Sequence, residues 1–79
     1  MTKKPIPLTH LPHNMKAKIV GIEGGYGFQR KLRVMGIREG HKIRIVSRQP
    51  FRGPLTIAIN SCQITLGRGM AQRIIVERL

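Results

Sequence analysis

Seventy-nine residues are enough for one small domain, and 15 Lys and Arg against three Glu give the chain a net charge of +12. The single cysteine, Cys62, cannot form an internal disulfide, which excludes a small secreted protein stabilised by disulfides. No apolar run approaches the roughly 18 residues of a membrane span, and no signal peptide follows Lys3 and Lys4. We therefore expect a cytoplasmic protein whose partner is nucleic acid, an anionic membrane surface or an acidic protein.

The first fifteen residues precede any strand pattern. Three prolines within residues 1–15 predict an extended or turn-rich segment, because proline fixes its own φ and restricts the residue before it. Residues 1–7 are the extended lead-in of this segment. Leu8 and Leu11 are expected to close one end of the core.

Apolar and polar residues alternate in five segments, the pattern of half-buried strands. Gly21 interrupts the first alternation and predicts a β-bulge, and Asn60-Ser61 predicts a tight hairpin turn. The register places Cys62 on the inward face as a buried, inert thiol, and residues 67–71 predict one 3-10 turn. The five segments are residues 16–23, 41–48, 55–60, 62–66 and 73–79.

One segment, residues 24–37, has helical periodicity. Phe28, Leu32 and Met35 recur at i, i+4 and i+7, and this spacing predicts an apolar stripe. Gly36 stands where a left-handed C-terminal cap is expected. A helix of about two turns is not stable alone in water, so we expect Leu32 and Met35 to be buried anchors that dock it on the strands.

These elements predict an all-β protein with one short helix, folded as a single domain over residues 1–79. Fifteen Ile and Val residues support the strand prediction, because β-branched residues favour strands. A small closed or nearly closed barrel of five strands hides strand edges economically at this length.

The sequence offers little chemistry for catalysis. Three Glu and no Asp are hard to arrange as paired carboxylates, and "GGYG" (24–27) lacks the residues of a phosphate-binding loop. His10, His13 and Cys62, with His41, are the candidate metal ligands, but their spacings match no closed zinc site. The sequence thus predicts no enzyme, no tightly bound cofactor, and at most weak binding of Fe(II) or another transition metal.

The densest cluster of cations lies on the predicted helix. Arg30, Lys31 and Arg33 fall away from the apolar stripe and form a basic ridge beside Tyr26 and the glycine turn. We expect these four residues to bind a partner, with a merely solvated helix face as the alternative. Nucleic acid is the rival partner because of the net charge, but three aromatic residues are few for base stacking.

Six short motifs follow one another between Leu8 and Val76. They are "LTHLP", "AKIVGIEGG", "KLRVMGIREG", "PFRGPL", "ITLG" and "AQRIIV". The most specific is L-x-x-M-G-I-x-x-G, from Leu32 to Gly40, and Gly53-Pro54 is second. In this order the motifs resemble the FeoA family, small ferrous iron transport proteins that accompany the membrane GTPase-transporter FeoB.

The resemblance implies a Src-homology-3-like (SH3-like) β-barrel, in which Gly40, Gly53 and Pro54 join Leu32, Met35 and Gly36 as structural residues. It also implies a cytoplasmic, non-catalytic accessory protein of ferrous iron uptake. Such a protein binds and regulates a FeoB-like transporter at its GTPase domain. The excess of basic residues adds the expectation of recruitment to the anionic inner face of the membrane.

Two alternatives stay open: a small basic barrel that binds nucleic acid, and a metal-responsive regulatory domain. A related domain ends the DtxR-type metal-dependent repressors, but no helix-turn-helix precedes the barrel here, which argues against a free-standing repressor. Asn14 and Ser61 occupy turns where the family often has Gly. Asn accepts a left-handed conformation readily, whereas Ser61 leaves the hairpin turn open.

Overall fold

All strands of the protein belong to one antiparallel sheet in the computed structural model, which describes residues 4–79. The strands are β1 (Ile6–Pro7), β2 (Lys16–Ile22), β3 (Lys42–Arg48), β4 (Leu55–Ile59), β5 (Cys62–Leu66) and β6 (Ile74–Arg78). A 3-10 turn (Leu8–His10) follows β1, helix α1 (Tyr26–Val34) connects β2 to β3, and helix α2 (Arg68–Ala71) connects β5 to β6. The strand order across the sheet is β1-β6-β2-β3-β4-β5.

The sheet has six strands where the sequence predicted five. The additional strand is β1, which pairs with β6. The predicted extended lead-in of residues 1–7 is therefore partly a strand, and its residues 1–3 lie outside the described part. Proline is compatible with β1 because this strand is at the edge of the sheet, where one side of the backbone needs no partner strand.

The sheet is SH3-like, as the resemblance implied, but it is not closed into a barrel. β1 and β5 lie at its two edges and do not pair with each other within residues 4–79. Gln63 and Thr65 occupy non-hydrogen-bonded positions opposite β4, since the pair that closes the hairpin is a hydrogen-bonded one. Their backbone groups consequently point away from β4, along the free edge of β5.

The core lies on the inward face of the strands, as the alternation predicted. Leu8 and Leu11 are fully buried beside it, which confirms their expected place. Gly21 lies at a register shift between β2 and β6, the predicted bulge, and a second shift separates Ile45 from Ser47 in β3. The buried core residues are Leu8, Leu11, Ala17, Ile19, Ile22, Leu32, Ile37, Ile43, Ile45, Leu55, Ile57, Ile59, Leu66, Ala71, Ile74 and Val76.

Helix α1 ends in a Schellman motif. Gly36 adopts φ of +94°, its N–H donates to the carbonyl of Arg33 (3.0 Å), and the N–H of Ile37 donates to the carbonyl of Leu32 (2.9 Å). These are the two hydrogen bonds that define this helix ending. Leu32 and Ile37, its usual apolar pair, are both fully buried, so the end of α1 is held to the core on both sides of the glycine.

Met35 is not the anchor that the periodicity predicted. Its side chain is 36% exposed, whereas Leu32 is fully buried. The helical stripe ends at Val34, and Met35 lies in the turn where the chain leaves the helix. Ile37 takes the second anchoring position because the left-handed residue Gly36 reverses the chain toward the core.

The connections differ from expectation at one place. Residues 67–71, expected as a 3-10 turn, form the short α-helix α2, and Ala71 is fully buried there.

The hairpin turn is confirmed: Asn60 and Ser61 both have positive φ, 51° and 65°, as a type I′ turn requires. Asn14 is also left-handed, with φ of 65°. No helix within residues 4–79 is long and apolar enough to cross a membrane.

Truncation of Leu32 tests the docking of α1. Leu32→Ala removes a fully buried side chain and is expected to lower the free energy of unfolding by about 2–5 kcal/mol. Met35→Ala is the matched control, because Met35 keeps more than a third of its surface in solvent. Urea titration of both variants measures the difference; equal losses would contradict the docking geometry.

A glycine pair tests the cap. A Cβ at Gly36 or at Gly27 meets no heavy atom within 4 Å, but only Gly36 has positive φ. Gly36→Ala is therefore expected to destabilise by about 1–2 kcal/mol through backbone strain alone. Gly27→Ala, inside α1, is expected to stabilise by about 0.5–1 kcal/mol. Thermal unfolding of the two variants should shift in opposite directions, and a higher melting temperature for Gly36→Ala would exclude the cap.

Candidate functional site

The candidate metal ligands do not converge. His10 and His13 are exposed, and His41 Nδ1 lies 2.7 Å from the side-chain amide nitrogen of Asn60. Within residues 4–79 no group of three or more His, Cys, Asp or Glu side chains is close enough to hold a metal ion. The residues that the structure describes therefore present no assembled metal centre.

Cys62 is exposed, which corrects its predicted burial. Its register opposite Ile59 does place it on the core side of the sheet. On the edge strand β5, however, burial of the inward residues decreases from Leu66 through Ile64 to Cys62, the first residue after the hairpin turn. The alternation therefore predicted the correct face of the sheet for Cys62. The sequence does not show how far burial extends along this strand.

The basic ridge on α1 is partly neutralised. Arg30 and Lys31 are exposed as predicted, but Arg33 Nη2 lies 3.4 Å from a carboxylate oxygen of Glu39. Lys31 and Arg33 also stand in the last turn of α1, where cations interact favourably with the helix dipole. Among residues 4–79, Arg30 and Lys31 form no salt bridge, so these two cations and the 78%-exposed Tyr26 are the available part of the predicted partner-binding surface.

The glycine turn before α1 is held in place by side chains. Gln29 Nε2 donates to the carbonyl of Gly24 at 3.0 Å, and the Phe28 ring packs against this glycine so closely that a Cβ there would meet it at 3.0 Å. The guanidinium carbon of Arg73 lies 5.2 Å from the centre of the Phe28 ring, within range of a cation–π interaction. Phe28 therefore supports the turn and is not free for base stacking.

The motif glycines each occupy a structural position. The N–H of Gly40 donates to the carbonyl of Ile19 at 2.7 Å, which joins the end of the α1 connection to β2. A Cβ on Gly53 would lie 2.7 Å from the Cβ of Gln49, so only glycine fits this turn. The carbonyl of Pro54 accepts from the N–H of Gln49 at 3.0 Å, closing the loop between β3 and β4.

Four cations on the outer face of β2 and β3 form a second basic surface, which the sequence reasoning missed. In the antiparallel register Lys16 lies opposite Arg44 and Lys18 lies opposite Lys42. We call these four residues the basic face. Their signal in the sequence is cations at alternate positions, "KAK" and "KIR", but only the strand pairing shows that the two runs are neighbours.

A shallow groove of about 320 Å³ borders the basic face. Ala58 is the residue opposite Arg44 on β4, and its small side chain leaves room there. Arg44 is held in position, since its Nη1 donates to Asn14 Oδ1 at 2.8 Å. The groove is lined by Lys16, Lys42, Ile43, Arg44, Ala58, Ile59, Asn60 and Ser61.

Comparison with known proteins identifies the fold with one family. The chain matches the family model described as FeoA domain over residues 6–78. A Methanocaldococcus jannaschii protein named "Putative Fe(2+) transport protein A" is 32% identical over 71 residues, which are 90% of this chain and 84% of that protein.

Solved structures show the same similarity. A crystal structure of an iron uptake regulatory protein (FeoA) has a TM-score of 0.87 at 30% identity, over 96% of this chain and 100% of that one. The FeoA-like protein of Clostridium acetobutylicum has 0.86 at 32%, over 100% and 91%. A manganese-dependent transcriptional repressor has 0.88 at 25%, but this chain covers only 44% of it. The protein described here belongs to the FeoA family.

Proposed function

We propose that the protein is a non-catalytic accessory protein of ferrous iron uptake that binds and regulates the membrane GTPase-transporter FeoB at its cytoplasmic GTPase domain. The observation that carries the proposal is the FeoA match over residues 6–78, which includes every strand and helix of the structure. The names of the relatives connect this domain to Fe(2+) transport and iron uptake. We therefore look for the contact on the surface of this domain.

The charge of the protein indicates the chemistry of its partner. A net charge of +12 attracts acidic surfaces over several ångströms and speeds their encounter. Arg30, Lys31 and Tyr26 are the available residues of the α1 surface and are our proposed contacts there. The same charge favours the anionic inner leaflet of the membrane, at about 1 kcal/mol per well-placed basic residue, so we place the protein in the cytoplasm near that leaflet.

A second candidate function is a metal-responsive regulatory domain. It is supported by the similarity to the manganese-dependent repressor, in which this fold is 44% of a longer chain. The scattered positions of His10, His13 and Cys62 favour the first proposal, because a metal sensor needs converging ligands. Nucleic-acid binding is the third candidate, favoured by the charge alone.

Charge reversal on α1 tests the proposed function. Arg30→Glu with Lys31→Glu is expected to weaken binding to the purified GTPase domain on the order of tenfold and to reduce its salt dependence. Arg33 is left unchanged, because Arg33→Glu would place two carboxylates side by side at Glu39 and add a small change in stability to the binding effect. Lys4→Glu with Arg52→Glu, two exposed positions elsewhere, is the control of equal charge and should bind nearly as the unmodified protein does.

The same proteins distinguish the nucleic-acid alternative. If unmodified protein ignores the GTPase domain but binds RNA or DNA, with log affinity falling linearly against log salt, the proposed function is wrong. Removal of each phosphate-contacting cation would then reduce the slope by about one.

Titration with metal tests the expectation that the protein binds Fe(II) or another transition metal weakly at most. Calorimetry with Fe(II) under anaerobic conditions, and with Zn(II), is expected to give no one-to-one site of sub-micromolar affinity, because no cluster of three ligands exists within residues 4–79. Tight binding that is lost in His10→Ala or His13→Ala would instead support the metal-responsive candidate.

A further inference from the structure

The basic face carries an arrangement that folding alone does not favour. Lys16 opposes Arg44 and Lys18 opposes Lys42 directly across β2 and β3, and like charges in directly opposed positions destabilise a strand pair. Glu77 lies opposite Lys18 on β6, yet the ion pair between Arg33 and Glu39 is the one salt bridge within the described residues. Within residues 4–79 the four cations therefore repel one another without a salt bridge of their own, and Glu77 offsets the repulsion at Lys18 alone.

The groove beside the basic face gives this charge a recess. The half-buried Ala58 supplies apolar side-chain surface between the buried Ile43 and Ile59. Asn60 and Ser61 supply an amide and a hydroxyl. An apolar recess bordered by polar and charged groups is the common anatomy of a protein interface. A merely solvated basic face would have no reason to combine opposed cations with such a recess.

We infer that the basic face and its groove are a second contact surface, which binds an acidic polypeptide segment. Carboxylates of the partner lie over the cations, and an apolar side chain enters the groove beside Ala58. In an extended segment, side chains on the same side follow one another at intervals of about 6.8 Å. Lys16 and Lys18 have the same spacing along β2, because they too are two residues apart in a strand. This inference rests on the proposed function, because it takes the acidic partner to be the transporter.

The placement of aromatic residues favours a protein partner over nucleic acid or lipid. No aromatic side chain lines the groove, although single-stranded nucleic acid is commonly held by stacking on aromatic rings. Membrane-surface elements place large apolar side chains beside their cations. Phe51 is 98% exposed, but it lies in the loop that joins β3 to β4. The groove lies at the other end of β4, beside Asn60.

The test uses two substitutions that should separate binding from stability. Lys16→Glu faces Arg44 and Lys42→Glu faces Lys18, so each replaces a repulsive pair by an attractive one. The double variant is therefore expected to melt at a higher temperature than unmodified protein while binding the GTPase domain at least about tenfold more weakly. Lys4→Glu with Arg52→Glu again carries the same net charge and should change affinity by less than about threefold.

The second probe is a synthetic peptide with glutamate at alternate positions. If the double variant loses this peptide while unmodified protein fails to bind the GTPase domain, the inference stands and the proposed function fails. If the double variant binds both probes as the control does, the inference is wrong. A third outcome would also overturn the inference: unmodified protein does not bind the peptide, and the double variant loses binding to a single-stranded oligonucleotide or to anionic phosphatidylserine vesicles. The basic face would then bind nucleic acid or the membrane surface.

Discussion

The inward apolar register of strands β2 to β6 is the constraint on which the rest of this fold depends. The chain carries a net charge of +12, and its described residues contain a single ion pair, which is exposed on both sides. Electrostatics therefore opposes compaction, and burial of Ile, Leu and Val must supply the cohesion. Alternation meets both demands at once, because β2 and β3 send aliphatic side chains inward and cations outward, while the outer residues of β4 and β5 are uncharged.

The separation of inward aliphatic side chains from outward charged ones also determines where a partner can bind. The buried side chains of the core are not accessible to a partner, so recognition involves mainly the outer faces, and there the charge is unevenly distributed. The α1 ridge is moderated by Glu39 and by the helix dipole. On the outer faces of β2 and β3, cations oppose one another across the strand pair, and within residues 4–79 none of the four forms a salt bridge. A protein that binds through charge benefits from the second arrangement, since an acidic partner relieves repulsion already present.

Local patterns predicted most of the fold and little of the surface. The strands, the bulge at Gly21 and the cap at Gly36 were predictable because they follow from the chemistry of neighbouring residues. Met35 was not, because the helix ends one residue before it and tertiary docking passes to Ile37. The exposure of Cys62, the Arg33–Glu39 pair and the basic face depend on which residues meet across strands or beyond a turn. Single-sequence periodicity contains no such information.

The unpaired edge of β5 links the net charge of the protein to its tendency to aggregate. β5 contains no charged residue and no proline, so this edge lacks the lysines and prolines that usually prevent edge-to-edge strand pairing. The repulsion that keeps two molecules apart must come from the rest of the surface. That repulsion reaches only about 8 Å at physiological ionic strength and about 3 Å in 1 M salt. The excess of lysine and arginine thus gives the protein colloidal stability, because charge repulsion between molecules opposes their association through the unpaired edge of β5.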